Sequence, residues 1–497
     1  MGYLRLFIIL TCILAASQLP AQERGEYIHM DSLINGDWLI EDLEFLREKI
    51  FESHPLPGGY AGDSLLESAF EKAIQEAAPG MKYADFIRVV QRTIMTQLDS
   101  HTTVDFGNVR EKGLLDNKRL TPLQFGFDGQ DLWIKSDALD SLPKGTKLLK
   151  WNGIDASELI KIPREYAFTE GDAGISRMRV ETALLPIIMM MNGITTHTNK
   201  LQVILPGDTQ IVNKVYPGFL KEAIAKMRSV KKKSPLKEFK DQFSYTYYED
   251  IDLGVLKVGT FVPLNSIQGP NRFYRKTFRE IRRNGVKNLA IDLRDNTGGS
   301  SANVEFLASF LFEDGHNAPD NIIYRQSELA KQRNRRNSWF IWKAFYKMSQ
   351  DENVKAFLRA DALDEGDIDT VYFKEPVMQK SDYVYDGNCY VFINGLTASA
   401  AVDFSGSMRK RGRAMIVGED CMGSGHGTWG NPVSLYLPKT GLMLSLATIR
   451  YNSDRSFDMT REALKPDILV REYADDDAAN RDAWIEKMKE VLAGKPH

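Results

Sequence analysis

A serine that performs nucleophilic chemistry needs a base to take its proton and amide donors for the oxyanion that follows. Two stretches of this chain offer the parts. In the first, Leu289 to Leu293 is a short apolar run interrupted only by Asp292, the pattern of a buried parallel strand. It breaks at Thr297-Gly298-Gly299, and helical spacing resumes from Ser301 to Phe312. A strand that delivers a Gly-Gly turn onto a helix N-terminus exposes unpaired backbone N–H groups, which can hold an oxyanion. In the second stretch, Tyr390 to Ile393 reads as a strand, followed by Asn-Gly-Leu-Thr-Ala-Ser-Ala-Ala and by Val402 to Met408 as a helix. Ser399 then stands near that helix's start, where it is either a nucleophile or an N-cap. Glycine amides beside a serine point to acyl transfer. An esterase of the α/β-hydrolase type is disfavoured, because no Gly-x-Ser-x-Gly elbow occurs in the chain.

These residues carry a resemblance. Ile291-Asp-Leu-Arg-Asp-Asn-Thr-Gly-Gly299 resembles the signature strand of the tail-specific (C-terminal processing) and tricorn-like serine peptidases, family S41. Asn394 to Ala400 is similar to that family's nucleophile segment, and Ile416-Val-Gly-Glu419 to the strand after it. The resemblance implies Ser399 as nucleophile, with an oxyanion held by the amides of Gly298 or Gly299 and of Ala400. Tail-specific members use a lysine base in a Gly-Lys-Gly just beyond the Val-Gly-Glu; here Ser424 stands in that place. Gln97-Leu-Asp-Ser-His-Thr-Thr103 instead resembles the Asp-x-His-Thr element of the tricorn-like branch, which places Ser100 and His101 at the nucleophile and makes His101 the base. That branch supports its histidine with a glutamate near the C-terminal strands. Glu462, four residues before Pro466, is the nearest match, with Asp458 a rival. His426, in the Gly-rich stretch Gly423 to Gly427, is a second candidate base. No metal or organic cofactor is expected.

The elements that must position these residues fall into three regions. Leu39, Leu43, Leu46 and Ile50, then Leu65, Phe70 and Ile74, then Phe86, Ile87, Val90 and Ile94 recur at helical spacing, which predicts a helical N-terminal region over 22–110. From Leu120 to Pro206 short strands take over (Phe125 to Phe127, Leu132 to Ile134, Lys147 to Trp151), closing on the turn Asn152-Gly153. Within this part Pro143 to Ile154 resembles the core of a PDZ domain, so 111–226 is expected to be a PDZ-like β-rich module, either binding peptide ends by strand addition or purely structural. Residues 227–497 then form the catalytic domain: Leu253 to Val258 as a strand, Phe273 to Arg283 as a helix, then the strand to Asp292, an α/β pattern. The fold class expected is therefore α/β within an α+β multidomain chain, and the resemblance implies a catalytic domain of the ClpP/crotonase-like type. An insertion at about 316–385, with Trp339-Phe-Ile-Trp342, Phe345 and Tyr346 after Arg333, Arg335 and Arg336, reads as a core-packing helix or as a lid. The basic cluster from Arg228 to Lys240 reads as a solvated face.

The 497 residues suffice for several domains, and a net charge of -3 argues for no nucleic-acid partner. Residues 1–21 read as a cleaved export signal: Arg5, an apolar core from Leu6 to Ala16, then small residues at Ala15-Ala-Ser17 or Leu19-Pro-Ala21. That core is too short to span a bilayer comfortably, so no stable membrane insertion is expected. Cys12 is the alternative, a lipid attachment site, although Thr11 is larger than the residue such sites prefer. The expected protein is thus an exported, periplasmic or secreted serine endopeptidase acting on protein or peptide substrates. The alternative is a catalytically inactive binding protein on the same fold, holding a peptide or an apolar ligand; the interphotoreceptor retinoid-binding protein resembles this fold.

Overall fold

A computed structural model describes residues 28–220, 235–262, 268–315, 320–331, 363–372, 380–453 and 459–494. The signal-like segment, the aromatic run Trp339 to Tyr346, most of the basic cluster and Asp458 lie outside them.

Three helices, α1 (Gly36–Ser53), α2 (Asp63–Ala77) and α3 (Tyr83–Ile94), form the N-terminal region. Their apolar stripes bury Leu39, Leu43, Phe70, Phe86 and Val90 in one core. Asn35 caps α1 by accepting from the Asp37 amide, and His54, before Pro55, ends it. A two-residue strand, β1 (Thr103–Val104), and helix α4 (Phe106–Leu115) follow.

Strands β2 (Leu123–Phe127), β3 (Leu132–Asp137), β4 (Lys147–Trp151), β5 (Thr198–Ile204) and β6 (Ile211–Pro217) form an antiparallel sheet in sequence order. Helix α5 (Gly174–Met191) lies between this sheet and the N-terminal helices. Its apolar residues lie on two faces because it serves two cores. Leu185 and Met189 face the sheet, while Val180, Leu184, Ile188 and Met190 join the helical core.

The rest is built on a six-stranded sheet, ordered β7 (Phe243–Tyr248), β8 (Leu253–Val258), β9 (Asn288–Asp292), β12 (Asn388–Ile393), β13 (Met415–Gly418) and β18 (Ile468–Leu469). All its pairs but the first are parallel. One face packs against helices α6 (Gln268–Asn284), α7 (Ser301–Ala308) and α8 (Ala400–Lys410), and the other against α9 (Ala483–Leu492). With both faces covered, β9 is buried at every residue, which is why it reads as an apolar run. Helix α7 stops four residues before Phe312, because Phe310 and Leu311 bond back three residues rather than four. The mixed helix-and-sheet architecture is the one expected.

Two small sheets complete the chain. Strands β10 (Asn321–Arg325), β11 (Ile368–Tyr372), β14 (Gly427–Gly430) and β17 (Ile449–Asn452) run in the order β11-β10-β17-β14. The hairpin β15 (Val433–Tyr436) and β16 (Met443–Leu446) takes β1 as its third strand, with Val104 opposite Leu444. Buried Asp42 of α1 fastens the same hairpin, accepting from the amides of Lys439 and Thr440 at 2.8 and 2.9 Å. These ties hold α1 and β1 to the hairpin.

Candidate active site

Ser399 is placed by the turn between β12 and α8. Thr397 Oγ1 donates to the Leu293 carbonyl at 2.9 Å and the Ala398 amide to the Asn296 carbonyl at 3.0 Å, so the turn is pinned to the end of β9. Ser399 itself has φ 54° and ψ −131°, a backbone conformation costly for a residue with a Cβ. Its hydroxyl does not cap α8. It faces His101, whose Nε2 lies 3.1 Å from Ser399 Oγ across 298 residues of sequence. The N-cap reading of this serine is therefore not what the fold builds.

The other face of the imidazole meets two carboxylates. Ser100 Oγ donates to Glu170 Oε2 at 2.8 Å and lies 3.2 Å from His101 Nδ1. A hydroxyl has one proton, so donation to Glu170 leaves Ser100 accepting from Nδ1–H. Glu170 Oε2 is itself 3.6 Å from Nδ1, and Asp99 Oδ1 is 3.7 Å from it. Asp99 also takes the His101 amide at 2.7 Å, the Thr102 hydroxyl at 2.5 Å and His54 Nε2 at 3.2 Å. Burial works against charge on His101, yet the hydrogen bonds and charges of Asp99 and Glu170 outweigh it and raise the imidazole to about 10. Burial likewise opposes ionisation of Asp99, but His101 and His54 hold its carboxyl well below the usual range.

The glycine turn stands on the far side of the serine. A Cβ on Gly298 would fall 2.7 Å from Ser399 Cβ and 3.0 Å from the Ala400 nitrogen, so only glycine allows this approach. Gly298 and Gly299 have φ of 93° and 136°. The expectation that either glycine offers its amide is narrowed: the Gly298 N–H is committed to Asn296 Oδ1 at 2.8 Å. Among the described residues no acceptor takes the amides of Gly299 or Ala400. Ala400 opens α8, where the helix dipole also favours negative charge.

Other expected residues are elsewhere. Glu462 is exposed, with its carboxylate 3.4 Å from Lys465 Nζ, and the glutamate beside the His101 ring is Glu170. The ring at Ser399 is that of His101, while His426 lies in the Gly-rich loop with its amide on Ser424 Oγ at 3.2 Å. Ser424, at the family's lysine position, is buried. Asp99 and Glu170 had no role in the sequence reading. Asp99 had a signal, since it heads the Asp-x-His-Thr element; Glu170, in Thr169-Glu-Gly171, had none.

Asp99, His101 and Glu170 bring donor atoms within 4.8 Å of one another, a set that by type suits a cation. Asp99 Oδ2 already accepts from Thr102 and His54, Glu170 Oε2 accepts from Ser100 and Thr428, and the Arg450 guanidinium lies 3.7 Å from Glu170 Oε1, so a cation is already beside the set.

Residues 252–470 match the model of peptidase family S41. The matched residues span β8 to β18 and contain Ser399 and both glycines, whereas Asp99, His101 and Glu170 lie outside them. No curated protein matches the chain. Among solved structures, mature CPAF aligns with a TM-score of 0.63 at 16% identity, covering 92% of this chain and 96% of CPAF. CPAF complexed with lactacystin aligns equally well at 15% identity, over 92% of this chain and 98% of that one. The photosystem II D1 C-terminal processing protease aligns more loosely, at 13% identity and TM-score 0.40, over 89% and 94%. At such identities the two CPAF likenesses speak to fold. The match to the S41 model, together with that fold, points to a serine-type peptidase.

Proposed function

We propose that the protein is an exported serine endopeptidase that hydrolyses peptide bonds through an acyl-enzyme on Ser399, with His101 as general base. The observation that carries this reading is the 3.1 Å approach of His101 Nε2 to the hydroxyl of a serine in a strained turn. In the first step Nε2 takes the Ser399 proton as Oγ attacks the scissile carbonyl carbon. The resulting oxyanion lies toward the amides of Gly299 and Ala400. Asp99 and the Ser100–Glu170 pair stabilise the imidazolium and keep its ring oriented, the part a carboxylate plays in a triad. The imidazolium then protonates the leaving amine. Water, deprotonated by the same Nε2, releases the acid and frees Ser399. Use of histidine fits the tricorn-like branch better than the lysine-dependent one.

Export rests on the signal-like residues 1–21; among the described residues no helix is long and apolar enough to cross a membrane. Fluorophosphonate labelling tests the chemistry. The full chain should label, Ser399→Ala should not, and the same variant should lose peptide cleavage while melting like the wild type. Lactacystin, bound in a CPAF structure, is a second probe of the same hydroxyl. A folded protein that neither labels nor cleaves any peptide, at any pH, is a binding protein on this fold.

A further inference from the structure

Behind Glu170 lies a buried cation that the chemistry above does not use. Arg450, on β17, is fully buried. Its guanidinium sits between two aromatic rings, 4.8 Å from the Trp429 centroid and 5.2 Å from that of Tyr60. Nη1 donates to the Tyr60 hydroxyl at 2.7 Å, and Nε to Asn452 Oδ1 at 3.3 Å. Among the described residues Nη2 has no hydrogen-bond partner, and neither has Glu170 Oε1, which lies 3.7 Å from Nη1. An arginine taken out of water for packing alone would leave its charge uncompensated, at a cost that native folds avoid. The charges around it are few: Glu170 and Asp403, then Asp99 and His101 beyond Glu170, with the Tyr60 phenol beside it.

We infer that Arg450 is a positioning residue for the reaction, supplying the counter-charge that keeps the Glu170 carboxylate buried and aimed at the Ser100–His101 pair. The inference rests on the peptidase reading for its purpose, but not for its geometry. Glu170 spends Oε2 on Ser100 and Thr428, at 2.8 and 3.1 Å, and turns Oε1 to the guanidinium. Without that cation a buried carboxylate neutralises by taking a proton. A protonated Glu170 no longer favours charge on His101, so the imidazole must lose its proton at lower pH. Arg450 would thus act on the base through one intervening side chain, touching no substrate.

The test is the titration of His101 in the full chain, followed by NMR of ring-labelled histidine. The signal is identified among the seven histidines by its loss in His101→Ala. The pH dependence of the fluorophosphonate labelling rate gives a parallel readout. In Arg450→Met the His101 midpoint should fall by about one pH unit or more. Arg450→Lys, which restores a cation, should bring it back most of the way, and a packing role predicts no such rescue. In a Glu170→Gln background Arg450→Met should move the midpoint no further, because the carboxylate it acts through is gone. Where Arg450→Met does not fold, Arg450→Gln, which keeps a polar stem between the rings, carries the same test. A folded variant whose His101 midpoint stays at the wild-type value overturns the inference. Wild-type protein that labels at no pH overturns the peptidase reading instead, and the NMR midpoint still decides the role of Arg450.

Discussion

Gly298→Ala tests how closely the nucleophile is fitted to its turn. The new Cβ would lie 2.7 Å from Ser399 Cβ, and 3.0 Å from both the Ala398 carbonyl oxygen and the Ala400 nitrogen. Carbon atoms in contact prefer about 3.5–4.0 Å, so one side must give way by roughly 1 Å. Two of the three obstacles are backbone, and the third is anchored to it. Relief therefore displaces either Ser399 or the Gly299 amide. A shift of that size at a reacting group costs roughly 10²-fold in rate, and loss of one oxyanion donor costs about 10²–10³-fold. The alanine also inherits a φ of 93°, which adds about 1–3 kcal/mol of backbone strain. Turnover should then fall at least about 10²-fold with little change in KM, because the damage is at the acylation centre rather than along the peptide. The assay is kcat and KM on one peptide, corrected for active fraction by fluorophosphonate titration, beside a thermal melt. Gly298→Ala that folds and turns over like the wild type would refute the geometry.

Three further outcomes follow from the same site. His101→Ala should lose turnover by several orders of magnitude, whereas His426→Ala, acting only through the shape of the Gly-rich loop, should retain most of it; steady-state rates on one substrate decide. Because the two carboxylates raise the imidazole above its ordinary 6.5, kcat/KM should climb with pH along a limb displaced to the alkaline side, and activity should vanish as pH falls through it. Glu170→Gln should draw that limb down by about one unit or more, and an unmoved limb would remove Glu170 from the mechanism. Asp403 in the first turn of α8 is raised from 3.8 to about 7, by burial first and by the charge of Glu170 next. Its folded value exceeds its unfolded one, so the stability it contributes is present below about pH 4 and lost as pH rises through about 7. Asp403→Asn should therefore stabilise the fold by up to several kcal/mol more at pH 8 than at pH 5, seen as a larger rise in Tm at pH 8; equal gains at both pH values would count against a proton on Asp403.

What the sequence made legible was local. Strand, turn and helix follow one another within a dozen residues at both Gly298 and Ser399, so composition and spacing place them. The Asp-x-His-Thr element is equally local, since Asp99 takes the His101 amide and the Thr102 hydroxyl within its own turn. The support for the base was not legible, because it arrives by packing. Glu170 precedes α5, a helix wedged between two cores, and nothing in Thr169-Glu-Gly171 marks it. Glu462 had the better sequence position, near the C-terminal strands, yet its side chain turns to Lys465 in solvent. Arg450 reads as an ordinary strand arginine until Tyr60 and Trp429 close over it. Asp458 and the aromatic insertion lie outside the described residues.

The strained serine is a consequence of how many partners hold its turn. Asn394 exchanges two hydrogen bonds with Asp295, accepting from its amide at 3.0 Å and donating to its carboxylate at 2.8 Å. Thr397 and Ala398 bond back to the β9 turn, and the Met422 amide donates to the Thr397 carbonyl at 2.9 Å. Glu419, in the Val-Gly-Glu stretch, takes the Gly395 amide at 3.2 Å and pairs bidentately with Arg179 of α5. That arginine also donates to the Phe127 carbonyl at the end of β2. The nucleophile turn is therefore fixed from the β9 loop, from the Met422 loop and from the antiparallel sheet together. A positive φ at Ser399 costs about 1–3 kcal/mol, and it persists only where surrounding structure over-determines it. Here the over-determination comes from three parts of the chain. The residues that match the S41 model hold Ser399, Gly299 and Ala400, but His101 and the carboxylates beside it come from the helical region and from the start of α5. On the mechanism proposed above, catalytic competence is thus a property of the assembled chain.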